Sequence, residues 1–258
     1  MTSKTSVAAL ALLMLIPMSL QAQWKPAPTS DLPHLPDGRP DLDRPSPRGA
    51  DGKPDLSGVW NIRAVDSERY RLFLASDFSD IPLLPAARQL YDKRLAADGA
   101  GRPAERCLPH GLPVDMLLRD SPIRIIHTPA LVVILLEQMN HFRQIPTAGR
   151  ELVADAQPTW FGYSTGKWED DEFVVDTIGF NDETWLDNRG LPHSDALRLT
   201  ERFKRVTVGR MDVTFTVQDP KAFTRPWSVS VRFELLPDAD LLENICENNK
   251  WVPRSPPK

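Results

Sequence analysis

Met211-Asp212-Val213-Thr214-Phe215-Thr216-Val217-Gln218 is the stretch whose reading decides the fold. In an extended chain Met211, Val213, Phe215 and Val217 share one side, and Asp212, Thr214, Thr216 and Gln218 share the other. Val229, Val231, Phe233 and Leu235 repeat the pattern against Ser228, Ser230, Arg232 and Glu234. One dry face and one wet face is the signature of antiparallel sheet.

Working outward, residues 197–206 and 211–218 flank Gly209-Arg210, which predicts a hairpin. Residues 159–168 and 172–178 flank Glu169-Asp170-Asp171, which predicts a second. Residues 227–235 and 241–246 flank Pro237-Asp238, which predicts a third. Upstream, 123–126, 131–138 and 142–145 are apolar or β-branched runs split by Thr128-Pro129 and Asn140-His141. Residues 85–97 are the clearest helix, with Pro85 at the start and Gly99 beyond the end. About eight to ten strands in sequential hairpins predict a mainly all-β domain, an antiparallel up-and-down β-barrel with one helix. A β-sandwich is the alternative.

The N-terminus predicts the location. Lys4 precedes an apolar run over residues 7–16, Pro17 and Ser19 break it, and Ala22 offers a small residue for cleavage. That is the pattern of a signal peptide at 1–22, and the run is shorter than the roughly 20 residues a membrane span needs. No later stretch is apolar for long enough to span. Residues 23–55 read as an extended Pro-rich arm, in which Asp37-Gly38-Arg39-Pro40-Asp41-Leu42 is echoed by Asp51-Gly52-Lys53-Pro54-Asp55-Leu56. Residues 56–258 read as a single barrel domain. The expected location is periplasmic or secreted.

A net charge of −4, with acidic and basic residues interleaved, argues against a nucleic-acid partner, which needs a massed basic face. The chain has two cysteines, Cys107 and Cys246, and in an oxidising compartment the pair reads as a disulfide. Neither has a neighbouring Cys or His at zinc spacing. No metal or other cofactor is predicted.

Gly58-Val59-Trp60, following an extended arm, resembles the Gly-x-Trp opening of lipocalin-like (calycin) barrels. A wider set of stretches is similar to an uncharacterised family of secreted bacterial proteins. They include residues 50–60, Cys107-Leu108-Pro109, residues 158–187, Glu201-Arg202, Pro226-Trp227 and Cys246-Glu247-Asn248. The first resemblance implies a barrel; the second implies no particular activity.

The chain carries no Gly-x-Ser-x-Gly elbow, no His-Glu-x-x-His and no phosphate-binding or Rossmann glycine pattern. Candidate chemistry concentrates in the long connection at 180–195, where Trp185, Asp187 and His193 lie close in sequence. His193 is a candidate general acid or base; in the competing reading Asp187 and Ser194 tie down the backbone and Trp185 plugs the barrel end. Glu201 shares a face with Leu197, Leu199 and Phe203, and Glu137 shares one with Val133 and Leu135. Two inward carboxylates suit acid–base work, unless Arg143, Arg198 or Arg202 pairs with them. His127, His141 and His193 are a three-histidine possibility that no spacing demands.

The expected activity is therefore acid–base chemistry of the lyase, isomerase, hydratase or hydrolase type on a small apolar or aromatic molecule. His193, Asp187, Glu201 and Glu137 are the catalytic candidates. Trp185, Tyr163, Arg143, Trp160 and Phe180 are the substrate-binding candidates. The alternatives are a lipocalin-like carrier that converts nothing, and an envelope interaction protein working through the arm.

Overall fold

The computed structural model describes residues 32–62, 81–153, 155–237, 239–247 and 250–251. The expected signal peptide lies outside them, as does the first part of the arm. The domain is a nine-stranded antiparallel sheet curled into a nearly closed barrel, and a sandwich is excluded. Its strands are β1 (Gly58–Ile62), β2 (Ile123–His127), β3 (Leu131–Leu136), β4 (His141–Pro146), β5 (Tyr163–Glu169), β6 (Glu172–Ile178), β7 (Arg198–Arg205), β8 (Arg210–Gln218) and β9 (Trp227–Leu235). The helix α1 spans Pro85–Ala96, with proline at its start and Lys93 and Arg94 in its last turn.

Every consecutive pair within β1–β4 and within β5–β9 is an antiparallel neighbour, and β1 pairs with β9 to join the two runs. Eight reversals of direction separate β4 from β5 around the sheet, so these two strands run the same way. No backbone ladder joins them among the described residues, and side chains close this seam instead. A Cβ placed on Gly166 of β5 would sit 2.2 Å from the Phe173 ring and 3.0 Å from Ile145 of β4. The missing side chain thus lets two core residues meet across the gap.

Inward side chains form one continuous core, including Trp60, Ile125, Ile134, Phe173, Phe203, Phe215 and Phe233. Outside, β7 to β9 are polar: Thr214 bonds Ser230, Thr216 bonds Ser228, Arg198 pairs with Asp176, and Arg202 bridges Glu169 and Glu172.

Two expectations need correcting. Residues 241–245 form no strand, because the outer edge of β9 is already taken by β1. The segment crosses outside the barrel instead: Arg124 holds Asp240, and Asn140 holds the Asn244 backbone. Only Cys246–Glu247 (β10) pairs, with Lys250–Trp251 (β11). Glu137 does not point inward either. Val132, Ile134 and Leu136 are the buried face of β3, so Val133 and Leu135 face out. A strand apolar on both faces gives no clue to which is the core.

The arm lies on the domain and seals one barrel end. Its two echoed motifs fold alike, each with its glycine in the left-handed region and its aspartate accepting the amide two residues on. Arg48 clamps Asp171 in the β5–β6 turn, and the Gly209 amide donates to the Leu42 carbonyl. His127 stands between Asp51 and Asp55, at 3.8 and 3.6 Å. Arg205 donates to the Asp55 and Ser57 carbonyls from above the Trp60 ring. The other barrel end is covered by α1 and the loops at 103–122, 180–197 and 219–226.

Candidate functional site

At the α1 end, the loops sort the sequence candidates into fixed hydrogen-bonding tasks. Asp187 Oδ1 accepts the amides of Arg189, Gly190 and Leu191 at 2.6–2.9 Å, while Oδ2 accepts the Tyr91 hydroxyl at 3.1 Å. Burial raises the Asp187 carboxyl above its ordinary value against the pull of those donors. Burial lowers the pKa of the His193 ring, which favours the neutral form. Its Nδ1 lies 3.0 Å from the Ser194 carbonyl, which only accepts, so Nδ1 carries the proton. Nε2 then accepts from the Thr184 hydroxyl at 2.7 Å, and both ring nitrogens are engaged. Ser194 in turn bonds Asp219 through its amide and its hydroxyl. Trp185 is buried under Arg94, whose guanidinium lies 4.6 Å from the ring centroid, and Phe180 meets His193 edge-on. This is the turn network that competed with the catalytic reading.

Glu201 occupies the barrel interior, as its alternation predicts, and is fully buried. Arg143 reaches inward from β4 and grips it bidentately, with Nη1 2.9 Å from Oε1 and Nη2 on Oε2. Arg143 also donates to Ser164 on β5 and Thr177 on β6, at 3.3 and 3.4 Å. One guanidinium from β4 therefore fastens three strands on the far side of the seam. Glu137 sits just past β3, where its Oε2 accepts the Leu242 amide at 2.8 Å. His127 is at the arm end, while His141 and His193 are at the α1 end. No group of three metal-ligating side chains is assembled among the described residues.

Sequence reasoning passed over Asp115, which is completely buried in the loop with the cis Leu112–Pro113 bond. Burial pushes its carboxyl up to about 8 even though the Gly111 and His110 amides favour the charged form. Oδ2 accepts from Gly111 at 3.2 Å, and Oδ1 has no partner. A raised carboxyl contributes stability that is fully present below about pH 4 and is lost as the pH rises towards about 8. Urea titrations between pH 5 and 8 should therefore show an Asp115-dependent fall in stability with pH, set against the rise that the buried neutral His193 contributes in the same range. Asp115→Asn should flatten that slope and be the more stable protein at pH 8, by roughly 2–4 kcal/mol. Parallel slopes in the two proteins would reject a protonated Asp115.

The open space lies elsewhere, on the outer wall at the seam. A groove of about 700 Å³ runs between β4, β5 and the crossover at 147–162. Leu131, Phe142, Phe161 and Tyr163 supply its apolar walls, with Arg143 and Ser164 among its lining. The crossover adds Arg150, Glu151 and Val153, and the Tyr163 hydroxyl donates to the Gln157 carbonyl at 2.8 Å. Phe142 and Val153 are 59% and 63% exposed, a large apolar surface left in water. Of the sequence candidates, Arg143 and Tyr163 line the groove; His193, Asp187, Glu201, Glu137, Trp185, Phe180 and Trp160 do not. Phe142 was legible in principle. On β4 the alternation is inverted, with Phe142 and Gln144 outward and Arg143 inward.

Comparison with models of known protein families gives no match, and comparison with curated proteins gives none either.

Proposed function

We propose that this protein binds a small, largely apolar or aromatic molecule in the seam groove and carries it without converting it, in the periplasm or outside the cell. The observation that carries the reading is the groove itself. Its volume of about 700 Å³ lies in the range that takes drug-sized ligands, and Phe142, Val153 and Tyr163 stand exposed along it. The acid–base candidates point away from catalysis: His193 and Asp187 spend their polar atoms on loop geometry, and Glu201 is neutralised by Arg143. The disulfide between Cys107 and Cys246 supports an oxidising compartment.

The test is a fluorescence titration with the neutral apolar probe N-phenyl-1-naphthylamine. The wild-type protein should bind it saturably at one site. Phe142→Asp places a charge on the groove wall and should weaken binding at least about tenfold, the effect of roughly 1.4 kcal/mol. Equal affinity in the two proteins would remove the groove from consideration.

A further inference from the structure

Resting on the groove as the binding site, we infer that its ligand is uncharged and carries a hydrogen-bond acceptor, such as a carbonyl or ether oxygen, on an apolar body.

The charges on the lining and directly beneath it sum to zero. Arg143 is held bidentately by Glu201, so its positive charge is already spent inside the barrel wall. Arg150 and Glu151, neighbours on the crossover, add one charge of each sign and no net charge. Among the described residues, no further Asp, Glu, Lys, Arg or His lines the groove. Against a wall of zero net charge a charged ligand gains no net Coulomb attraction to offset its lost hydration, a transfer that is costly.

The floor, in contrast, has donors to spare. Ser164 Oγ lies 3.3 Å from Arg143 Nη2, which can only donate, so the hydroxyl accepts there. Thr177 Oγ1 lies 2.9 Å away. When the Thr177 hydroxyl donates in that contact, both Ser164 lone pairs are used and the Ser164 proton remains free. Arg143 Nε is buried and also lacks an acceptor. A ligand oxygen seated against Ser164 would receive the free proton, and a pure hydrocarbon would leave it unanswered. The Tyr163 hydroxyl does not compete, since it is turned to the Gln157 carbonyl.

Calorimetric titration of the mature protein with three matched probes, 2-acetylnaphthalene, 2-ethylnaphthalene and 2-naphthoate, tests this. They share a ring system and differ in presenting a neutral acceptor, none, or a carboxylate. The ketone should bind about 3–10-fold tighter than the hydrocarbon, the worth of one net hydrogen bond, and the carboxylate should bind weakest. In Ser164→Ala the ratio of ketone to hydrocarbon affinity should fall to about one. Because that ratio is internal to one protein sample, partial misfolding of the variant does not change it. Tightest binding by the carboxylate, or an unchanged ratio in Ser164→Ala, would overturn the ligand class and leave the groove standing. Failure of all three probes to bind, or binding of all three undisturbed by Phe142→Asp, would instead overturn the groove reading and this inference with it.

Discussion

Glu201→Ala should lose about 3–5 kcal/mol of folding stability, because it leaves the Arg143 guanidinium charged and unpaired inside the barrel. The cost follows from burial: the Arg143 side chain is 2% exposed and that of Glu201 not at all. Two of the remaining acceptors, Ser164 and Thr177, are neutral hydroxyls, and the third is the Met116 sulfur. None replaces a carboxylate. The loss should also be local at first, since Arg143 ties β4 to the far side of a junction that has no ladder among the described residues. Hydrogen exchange should accelerate in β4 and β5 before it does in β8 and β9. The double change Arg143→Met with Glu201→Leu should recover most of the stability, as apolar replacements of buried ion pairs often do. Urea denaturation of the three proteins is the measurement. A Glu201→Ala protein within about 1 kcal/mol of wild type would mean that water reaches the pair.

Removing the Cys107–Cys246 disulfide should be comparably severe. The bond spans a sequence separation of 139, and restraint of so long a loop in the unfolded chain is worth about 5 kcal/mol in the entropy model, with 2–5 kcal/mol usual on removal. It also ties the segment leaving β9 to the loop at 103–122. Glu137 holds Leu242 of the same segment, and Arg124 reaches the Ala239 carbonyl and the Asp240 carboxylate. The Cys107→Ser, Cys246→Ser protein should unfold at lower urea and expose residues 239–246 to protease first. A thiol assay on the wild-type protein should detect free cysteine only after reductant is added. Equal midpoints with and without reductant would show that the loop contacts suffice alone.

Much of the fold was legible because period-two alternation carries it directly. β6 and β9 fall at the residues their patterns predict, and β8 differs only by the inclusion of Arg210. Glu201 was placed correctly for the same reason: its neighbours Leu199 and Phe203 leave no doubt about the inner face. Alternation failed on β3, where Leu131 to Leu136 are all apolar and Glu137 was assigned to the wrong side. It also could not reveal partners in space. Arg143 is one of three arginines that the sequence offers as partners for the inward carboxylates, yet nothing in the sequence picks it over Arg198 or Arg202. The groove was hidden more deeply. It arises from how β4 and β5 fail to pair, and pairing belongs to the whole ring rather than to any one segment.

The shared direction of β4 and β5 also bears on how a cargo would get in on the proposed carrier reading. Two strands pointing the same way cannot be joined by a tight turn, so the chain must travel back along the wall before β5 begins. That return path is the crossover at 147–162, and it lies over the gap it was obliged to span. Both mouths of the barrel are meanwhile stopped, one by the arm and one by the α1 loops. On the proposed carrier reading, loading and release would proceed through a side door, with the return path as its leaf. Exchange rates should answer to changes in that leaf and be indifferent to the plugs. The doorway is a matter of parity rather than of particular side chains: with nine strands, one junction in the ring must break the alternation.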